Sequence, residues 1–234
     1  MRPLIVIPTY NERRNLAALV PVVLRTVPRA SILVVDDSSP DGTAAFARRL
    51  ARRRQGRIYV ISRPRKMGLG TAYVEGFRWA LRHGYDPIIQ MDADGSHDPA
   101  SLPAFLAELR HADAVVGSRY LRGLRVINWT WPRVLLSILA NRYARLVTGV
   151  PLTDLTGGFN GWHSGILRRI GLDRIRCNGY AFQIELKTRC RQVGGRITEI
   201  PIVFAGRVEG ESKLSRLVVF EAVWAVWRLR LLRW

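Results

Sequence analysis

Short runs of Val, Ile and Leu recur through the first half of the chain, separated by stretches in which apolar residues return every three or four positions. The short runs, bounded by turn formers, predict strands over 4–7, 32–35, 58–61, 88–91 and 114–116. The longer period predicts helices over 16–27, 43–54, 71–83 and 102–109. A repeated strand–helix spacing implies an α/β fold, a mainly parallel sheet flanked by helices. The second half is less regular, with a helix over 132–147, a turn at Gly157-Gly158, a helix near 183–193 and a strand over 197–204.

Ligands of such sheets bind beyond the carboxyl ends of the strands, and the residues there are polar. Pro8-Thr9-Tyr10-Asn11-Glu12 follows the first strand and Asp36-Asp37-Ser38-Ser39-Pro40-Asp41-Gly42 the second. Asp92-Ala93-Asp94-Gly95-Ser96 follows the fourth, and Gly117-Ser118-Arg119 the fifth.

Composition narrows the class. A length of 234 residues favours one large domain, and 48% hydrophobic with 24% charged residues describes a globular chain, not a disordered or fibrous one. The 37 Lys and Arg against 18 Asp and Glu give +19, nearly all of it arginine, which implies a polyanionic partner: nucleic acid, an acidic membrane surface or a phosphorylated substrate. Cys177 and Cys190 form no metal or disulfide pattern and read as free core thiols in a reducing, cytoplasmic setting. The apolar run at the N-terminus is too short for a signal peptide, and no stretch has the roughly 18 uninterrupted apolar residues of a membrane span. The segment 214–234 mixes Leu, Val and Trp with Arg216, Arg228, Arg230 and Arg233, the composition of a helix lying in a membrane interface or packing on the domain.

The acids carry the candidate chemistry. On extended backbone Asp92 and Asp94 face opposite ways, so one carboxylate can hold a divalent ion while the other meets another part of the substrate. Taken alone the pattern serves helix capping equally well, since Ser96-His97-Asp98-Pro99 follows as if entering a helix. Asp37 has the chemistry to accept from a base or ribose, and Asp41-Gly42 that of an ordinary turn. Three acidic loops at one sheet edge repel one another unless a cation or hydrogen-bonding ligand offsets them. Gly68-Leu69-Gly70 lacks the third glycine of a dinucleotide fingerprint and reads as a helix-entry turn, and no phosphate loop occurs. A nucleotide would therefore be held by metal and by bases such as Arg119, Arg133, Arg207 and Lys213. His83, His97, His111 and His163 have no metal-ligand spacing; His83 and His111 fall at helix ends and His163 reads as structural.

These segments, with Asp154-Leu155-Thr156-Gly157-Gly158-Phe159 and Gly210-Glu211-Ser212-Lys213-Leu214-Ser215, resemble in order the family 2 glycosyltransferases, above all the dolichol-phosphate and polyprenol-phosphate mannose synthases. The resemblance implies a GT-A type nucleotide-diphosphosugar transferase fold over 1–211; the remainder, 212–234, is read from its composition as a C-terminal amphipathic helix that lies in a membrane interface or packs on the domain. It implies GDP-mannose as donor, a polyprenyl phosphate as acceptor, and Mg2+ or Mn2+ at the acid pair. Carried over, Pro8, Tyr10, Glu12, Val35 and Asp37 contact guanosine, Asp92 and Ala93 the donor, and Asp94, with Asp92, the metal. Arg119 sits between donor and acceptor phosphates, so Asp94 and Arg119 are the catalytic pair. Arg207 and Lys213 lie over the diphosphate, and Arg133 and Ser137, one helical turn apart, contact the lipid phosphate. Two departures stand out. Ser96 replaces the glutamine that in some relatives binds metal, and the C-terminal membrane helices of many relatives are absent. An interfacial terminal helix or a membrane-anchoring subunit would then hold the enzyme peripherally on the cytoplasmic membrane surface.

The implied reaction is a single inverting displacement. A phosphate monoester, with its second pKa near ~6, is already largely ionised at neutral pH and needs no strong general base. The competing readings are a UDP-glucose-dependent polyprenyl-phosphate glucosyltransferase, a basic nucleic-acid-binding protein, which the strand-end acids disfavour, and a catalytically silent scaffold.

Overall fold

The apolar runs bury on both faces because they lie side by side in one sheet. The computed structural model describes residues 2–206, 224 and 226–230. In it β1 (Leu4–Thr9), β2 (Ser31–Asp36), β3 (Ile58–Ser62), β4 (Ile88–Gln90) and β5 (Ala114–Ser118) realise the five predicted strands. A two-residue strand, β6 (Val126–Ile127), lies apart from them, while β7 (Asn160–Trp162) and β8 (Ile197–Pro201) complete the order β3-β2-β1-β4-β7-β5-β8. β9 (Phe204–Ala205) pairs with β6. The helices are α1 (Arg13–Thr26), α2 (Thr43–Arg53), α3 (Leu69–Arg82), α4 (Leu102–Glu108), α5 (Trp131–Thr148), α6 (Ser164–Ile170) and α7 (Gly179–Gln192).

Period-two alternation divides the core. Ile5, Ile7, Ile32 and Val34 pack with Leu16, Val20 and Val23 of α1, Ala47 of α2 and Phe105 of α4. Leu4, Val6, Leu33 and Val35 pack on the other face with Tyr73 and Phe77 of α3, Ile166 of α6 and Phe182 of α7. α3 approaches so closely that a Cβ on Gly76 would lie 2.5 Å from Val6 Cγ1, so only glycine fits there.

β7 is antiparallel to both neighbours, and its direction positions the site. Because it runs backwards, the loop entering it arrives at the edge where β1, β2, β4 and β5 end. Neither β7 nor α6 is predicted by pattern: Asn160-Gly161-Trp162 has no apolar run. The strand expected over 197–204 is two strands, broken where Ile202 turns into the core and its amide reaches the Ser118 carbonyl.

Of the terminal segment, Trp224 and 226–230 are described, and they are helical. Val226 and Leu229 bury with Ala144, Val147 and Val150, and Arg230 Nη1 donates to the Val147 carbonyl at 2.9 Å, while Trp224 and Trp227 face outward. One side thus packs on α5 and the other presents tryptophan. The expected boundary at 211/212 lies outside the described residues. Among the described residues no helix is long and apolar enough to cross a membrane.

Candidate active site

β4 ends at Gln90, so Asp92 and Asp94 leave the sheet on a loop and strand alternation, the expectation from sequence, does not set their directions. Tethers do. Tyr73 of α3 donates its hydroxyl to Asp92 Oδ1 at 2.7 Å, and the Asp92 amide donates to His97 Nδ1 at 3.0 Å. Asp94 Oδ1 accepts from the Ser96 amide (3.1 Å) and hydroxyl (2.6 Å). Helix capping, the other reading of the acids, falls instead to Asp98, which accepts from the Ala100 amide. Ala93 is buried between the two acids.

At the β2 end, Asp36 and Asp37 have separate tasks. Asp36, fully buried, accepts from Thr9 Oγ1, the Ser39 amide and the Ser39 hydroxyl. Asp37 binds the buried Arg63 and accepts from the amides of Met67 (3.0 Å) and Gly68 (3.3 Å), so it closes the entry to α3. Arg63 also reaches Thr71 and the Gly68 carbonyl; sequence reading missed it, because its partners lie up to 26 positions away. Strand spacing puts the ends of β2 and β4 about 10 Å apart, across β1. Pro8 and Val35, paired in register, are buried, and the Val35 side chain lies in the core, so Val35 can meet a nucleotide only through its backbone. Tyr10 is partly exposed with Lys66 Nζ 3.9 Å over its ring, and Glu12 accepts from Asn15 at the start of α1.

The loop entering β7 joins these acids to the arginine after β5. Arg119 is buried and bidentate to Asp154, with Nε–Oδ2 and Nη2–Oδ1 both 2.7 Å, and Nη2 also donates to Thr156. Burial acts to raise the Asp154 carboxyl, and Arg119, with Lys187 beyond it, more than reverses this and holds it below the usual carboxylate range. Glu199 of β8 accepts from the amides of Thr153 and Asp154, and Asn141 of α5 accepts from those of Leu155 and Thr156. Gly157 abuts Asp154, while Gly158 faces Asp92, His97 and Gln183. His97 stacks on Phe159 and lies within the fields of Asp92, Asp94, Arg119 and Asp154. Burial is the largest effect on it, and its pKa is lowered, so its Nδ1 is the acceptor that the Asp92 amide requires. The consecutive Gly157 and Gly158 thus abut Asp154, which holds Arg119, and Asp92, whose loop carries Asp94, with His97, Asp154 and Asn141 as the supports of this edge.

Arg133 and Ser137 lie one turn apart on α5 as predicted. The Arg133 guanidinium sits 4.2 Å over the Trp129 ring, and Ser137 Oγ accepts from Tyr120 at 2.6 Å. Arg207 and Lys213 lie outside the described residues. Cys190 is buried and Cys177 partly so; burial pushes both thiols up to about 12, as inert core residues require.

Lys187 of α7 is fully buried and donates to the carbonyls of Leu155 (3.0 Å) and Gly157 (2.7 Å). Burial lowers its pKa from 10.5 to about 7, against the pull of Asp154 and Glu199. The neutral amine keeps two N–H groups, one for each carbonyl, so the clamp survives loss of the proton. Between about pH 7 and 10 the unfolded chain holds a proton that the folded chain has shed, so Lys187 favours folding increasingly as pH rises, and its full penalty applies below pH 7. Denaturant titrations of wild type and Lys187→Met should therefore diverge with pH in that window, in favour of the wild type, by at most about 1.4 kcal/mol per pH unit. A pH-independent difference refutes this.

Among the described residues no three His, Cys, Asp or Glu side chains form a complete metal cage. Asp94 and Asp92 offer carboxylate oxygen alone, and Ser96 is turned onto Asp94. This donor set fits a hard divalent ion that completes its shell from water and a diphosphate.

Residues 4–171 match the model of Glycosyl transferase family 2. The chain is 44% identical over 223 residues to an undecaprenyl-phosphate mannosyltransferase of Micrococcus luteus, covering 95% of this chain and 91% of that protein. It is also 44% identical over 232 residues to a polyprenol monophosphomannose synthase of Mycolicibacterium smegmatis, covering 98% and 88%. Among solved structures, glucosyl-3-phosphoglycerate synthase of Mycobacterium tuberculosis, in complex with Mn2+, UDP and phosphoglyceric acid, superposes with a TM-score of 0.71 at 16% identity over 97% of this chain and 78% of that one, a likeness of GT-A fold. A sheet whose polar rim gathers acids and an arginine, and a match to the family across most of its length, make this chain a glycosyltransferase belonging to glycosyl transferase family 2.

Proposed function

We propose that the chain transfers mannose from GDP-mannose to a polyprenyl phosphate with inversion, releasing GDP. The observation that carries this reading is the meeting, over Gly157-Gly158, of the Asp92–Asp94 loop with the Arg119–Asp154 pair. The names of the two 44% identical relatives support mannosyl transfer to a polyprenyl phosphate; the guanosine base is our assignment.

An oxygen of the lipid phosphate attacks the anomeric carbon, the bond from that carbon to the diphosphate breaks, and the electron pair leaves with GDP. The nucleophile is already ionised, so no side chain need take a proton. The work of the chain is to bring two anions together and to receive the charge of the departing one. Arg119, its fork fixed by Asp154, presents a set orientation to both phosphates, which a flexible lysine would not. Arg133 and Ser137 receive the lipid phosphate from α5. Pro8, Tyr10, Glu12, the Val35 backbone and Asp37 are assigned to the guanosine, Asp92 and Ala93 to the donor, and, on the family resemblance alone, Arg207 and Lys213 to the diphosphate. Asp94, with Asp92, would hold Mg2+ or Mn2+, which when bound neutralises charge on the leaving diphosphate.

The acceptor places the enzyme at a membrane. On α5 Trp131 and Leu146 are each 80% exposed, Leu135 and Leu139 lie outward, and Arg133, Arg142 and Arg145 share the helix, the mix of apolar and basic groups that seats in an anionic interface. A cavity of about 310 Å3 lined by Leu124, Ile138 and Leu152, with Arg142 and Arg145, opens beside Tyr120 and suits a prenyl chain. The test mixes the full chain with GDP-mannose or UDP-glucose and a short polyprenyl phosphate, carried in anionic or neutral vesicles, and identifies the product by mass. Polyprenyl-phosphate mannose, formed faster on anionic vesicles, is expected. Transfer from UDP-glucose alone, or none, overturns the reading, and rates indifferent to vesicle charge overturn the membrane seat.

A further inference from the structure

Three buried amides behind the acid loop have orientations that their neighbours dictate. The Trp162 indole N–H can only donate, and it meets Gln90 at 2.8 Å, so the Gln90 atom there is Oε1. Asn160 lies 3.2 Å from that oxygen and 3.1 Å from the Gly157 carbonyl, both acceptors, so it presents Nδ2 to them. The same Nδ2 is 3.0 Å from Gln183, which must present Oε1. The Gln183 NH2 group is thereby turned the other way. It is buried, with the residue 2% exposed, and among the described residues it has no hydrogen-bond partner. A buried donor without an acceptor is costly; Asn160 Oδ1 in the same cluster is likewise without a partner among the described residues, but it is Gln183 Nε2 that borders open space.

That space is the notch over Gly158. A single point, the position a Cβ of Gly158 would take, lies 3.6 Å from Gln183 Nε2, 3.6 Å from Asp92 Oδ2 and 3.7 Å from His97 Cε1. Tyr73 occupies the other oxygen of Asp92, so Oδ2 is the one that faces the notch. A donor and a carboxylate acceptor around one methyl-sized space match a hydroxyl group, which accepts from one and donates to the other.

We propose that Gln183 is a specificity-determining residue that donates to one hydroxyl of the transferred sugar, seated over Gly158 against Asp92. The inference rests on the glycosyl-transfer reading above and adds which side chain inspects the sugar. A diol-bearing pyranose held this way is discriminated by the configuration and presence of that hydroxyl, since a site built to bond a hydroxyl rejects an analogue lacking it.

The experiment compares wild type, Gln183→Met and Gly158→Ala with GDP-mannose and with its four singly deoxygenated donors (2-, 3-, 4- and 6-deoxy), using a short polyprenyl phosphate as acceptor. Gln183→Met is expected to lower kcat/KM for the intact donor about tenfold. That penalty should vanish with one deoxy donor and persist with the other three. In Gly158→Ala the added methyl is in ordinary contact with its neighbours, so the fold tolerates it, but it fills the notch, and kcat/KM should fall about a hundredfold. Both variants should keep wild-type affinity for GDP with Mn2+, because GDP carries no sugar; Gly158→Ala should keep the wild-type melting temperature, while Gln183→Met, which gives up the oxygen that accepts from Asn160, should melt a few degrees lower. An unchanged kcat/KM in Gln183→Met, an equal penalty across all four deoxy donors, or a parallel loss of GDP affinity overturns the proposal. If the wild type uses UDP-glucose instead, the mannose assignment fails separately, and the same cycle on deoxyglucosyl donors decides the role of Gln183. A wild type that transfers no sugar overturns both.

Discussion

Asp94→Asn is expected to lower kcat by about three orders of magnitude, roughly 4 kcal/mol of transition-state stabilisation, with little change in melting temperature. The substitution keeps an oxygen where Oδ1 accepts from the Ser96 amide and hydroxyl, so the loop retains its bonds. What it removes is the negative charge that a hard divalent ion requires, and Ser96 is too engaged with Asp94 to substitute for it. Chelation of the wild type should reproduce most of the loss, and excess Mn2+ should recover part of the activity of the variant by mass action. Initial rates of sugar transfer across a metal titration measure both effects. Turnover that survives chelation and the substitution would refute the assignment of Asp94.

How much of this was legible beforehand follows from how local each determinant is. The runs at β1, β2, β4 and β5 announce themselves because a strand buried on both faces is written as consecutive apolar residues, four in β1 and β2 and two or three in β4 and β5. With those strands come their carboxyl ends, and hence Asp37, Asp92, Asp94 and Arg119 at one edge. β7 could not be read, since its stability comes from two neighbouring strands and from Trp162 rather than from any pattern of its own. Missing β7 meant missing why the 153–159 loop reaches the site. Asp154 was visible only within a motif resemblance, and its pairing with Arg119 spans 35 positions. The sequence predicts a helix near 183–193 and says nothing of Lys187 or Gln183, because α7 is buried nearly all round and no polar face marks which side chains enter the interior. The direction of Gln183 depends on a relay through Asn160, Gln90 and Trp162 that no spacing encodes.

The second large effect is expected at Asp154. Asp154→Asn preserves shape but leaves the Arg119 guanidinium, only 4% exposed, without its counter-charge. Removing one member of a buried ion pair costs about 3–5 kcal/mol, which for a chain of this length is a drop of about 6–20 °C in melting temperature. Activity should fall at least a hundredfold in the same variant, because a fork no longer held by two parallel bonds cannot keep its orientation toward the phosphates. Two losses with one cause would not by themselves separate fold from function, and the double variant Arg119→Met with Asp154→Asn does. Removing both charges leaves no cation deprived of Asp154, and stability should return to within about 1 kcal/mol of the wild type, the shortfall being the backbone amide of residue 119, which loses Asp154 Oδ2 as acceptor. Transfer should stay at the level of the single variant, since the group that faces the phosphates is gone. Thermal melts and initial rates on the same three preparations decide the matter: recovery of activity along with stability would make Arg119 a structural ion pair and remove it from the chemistry.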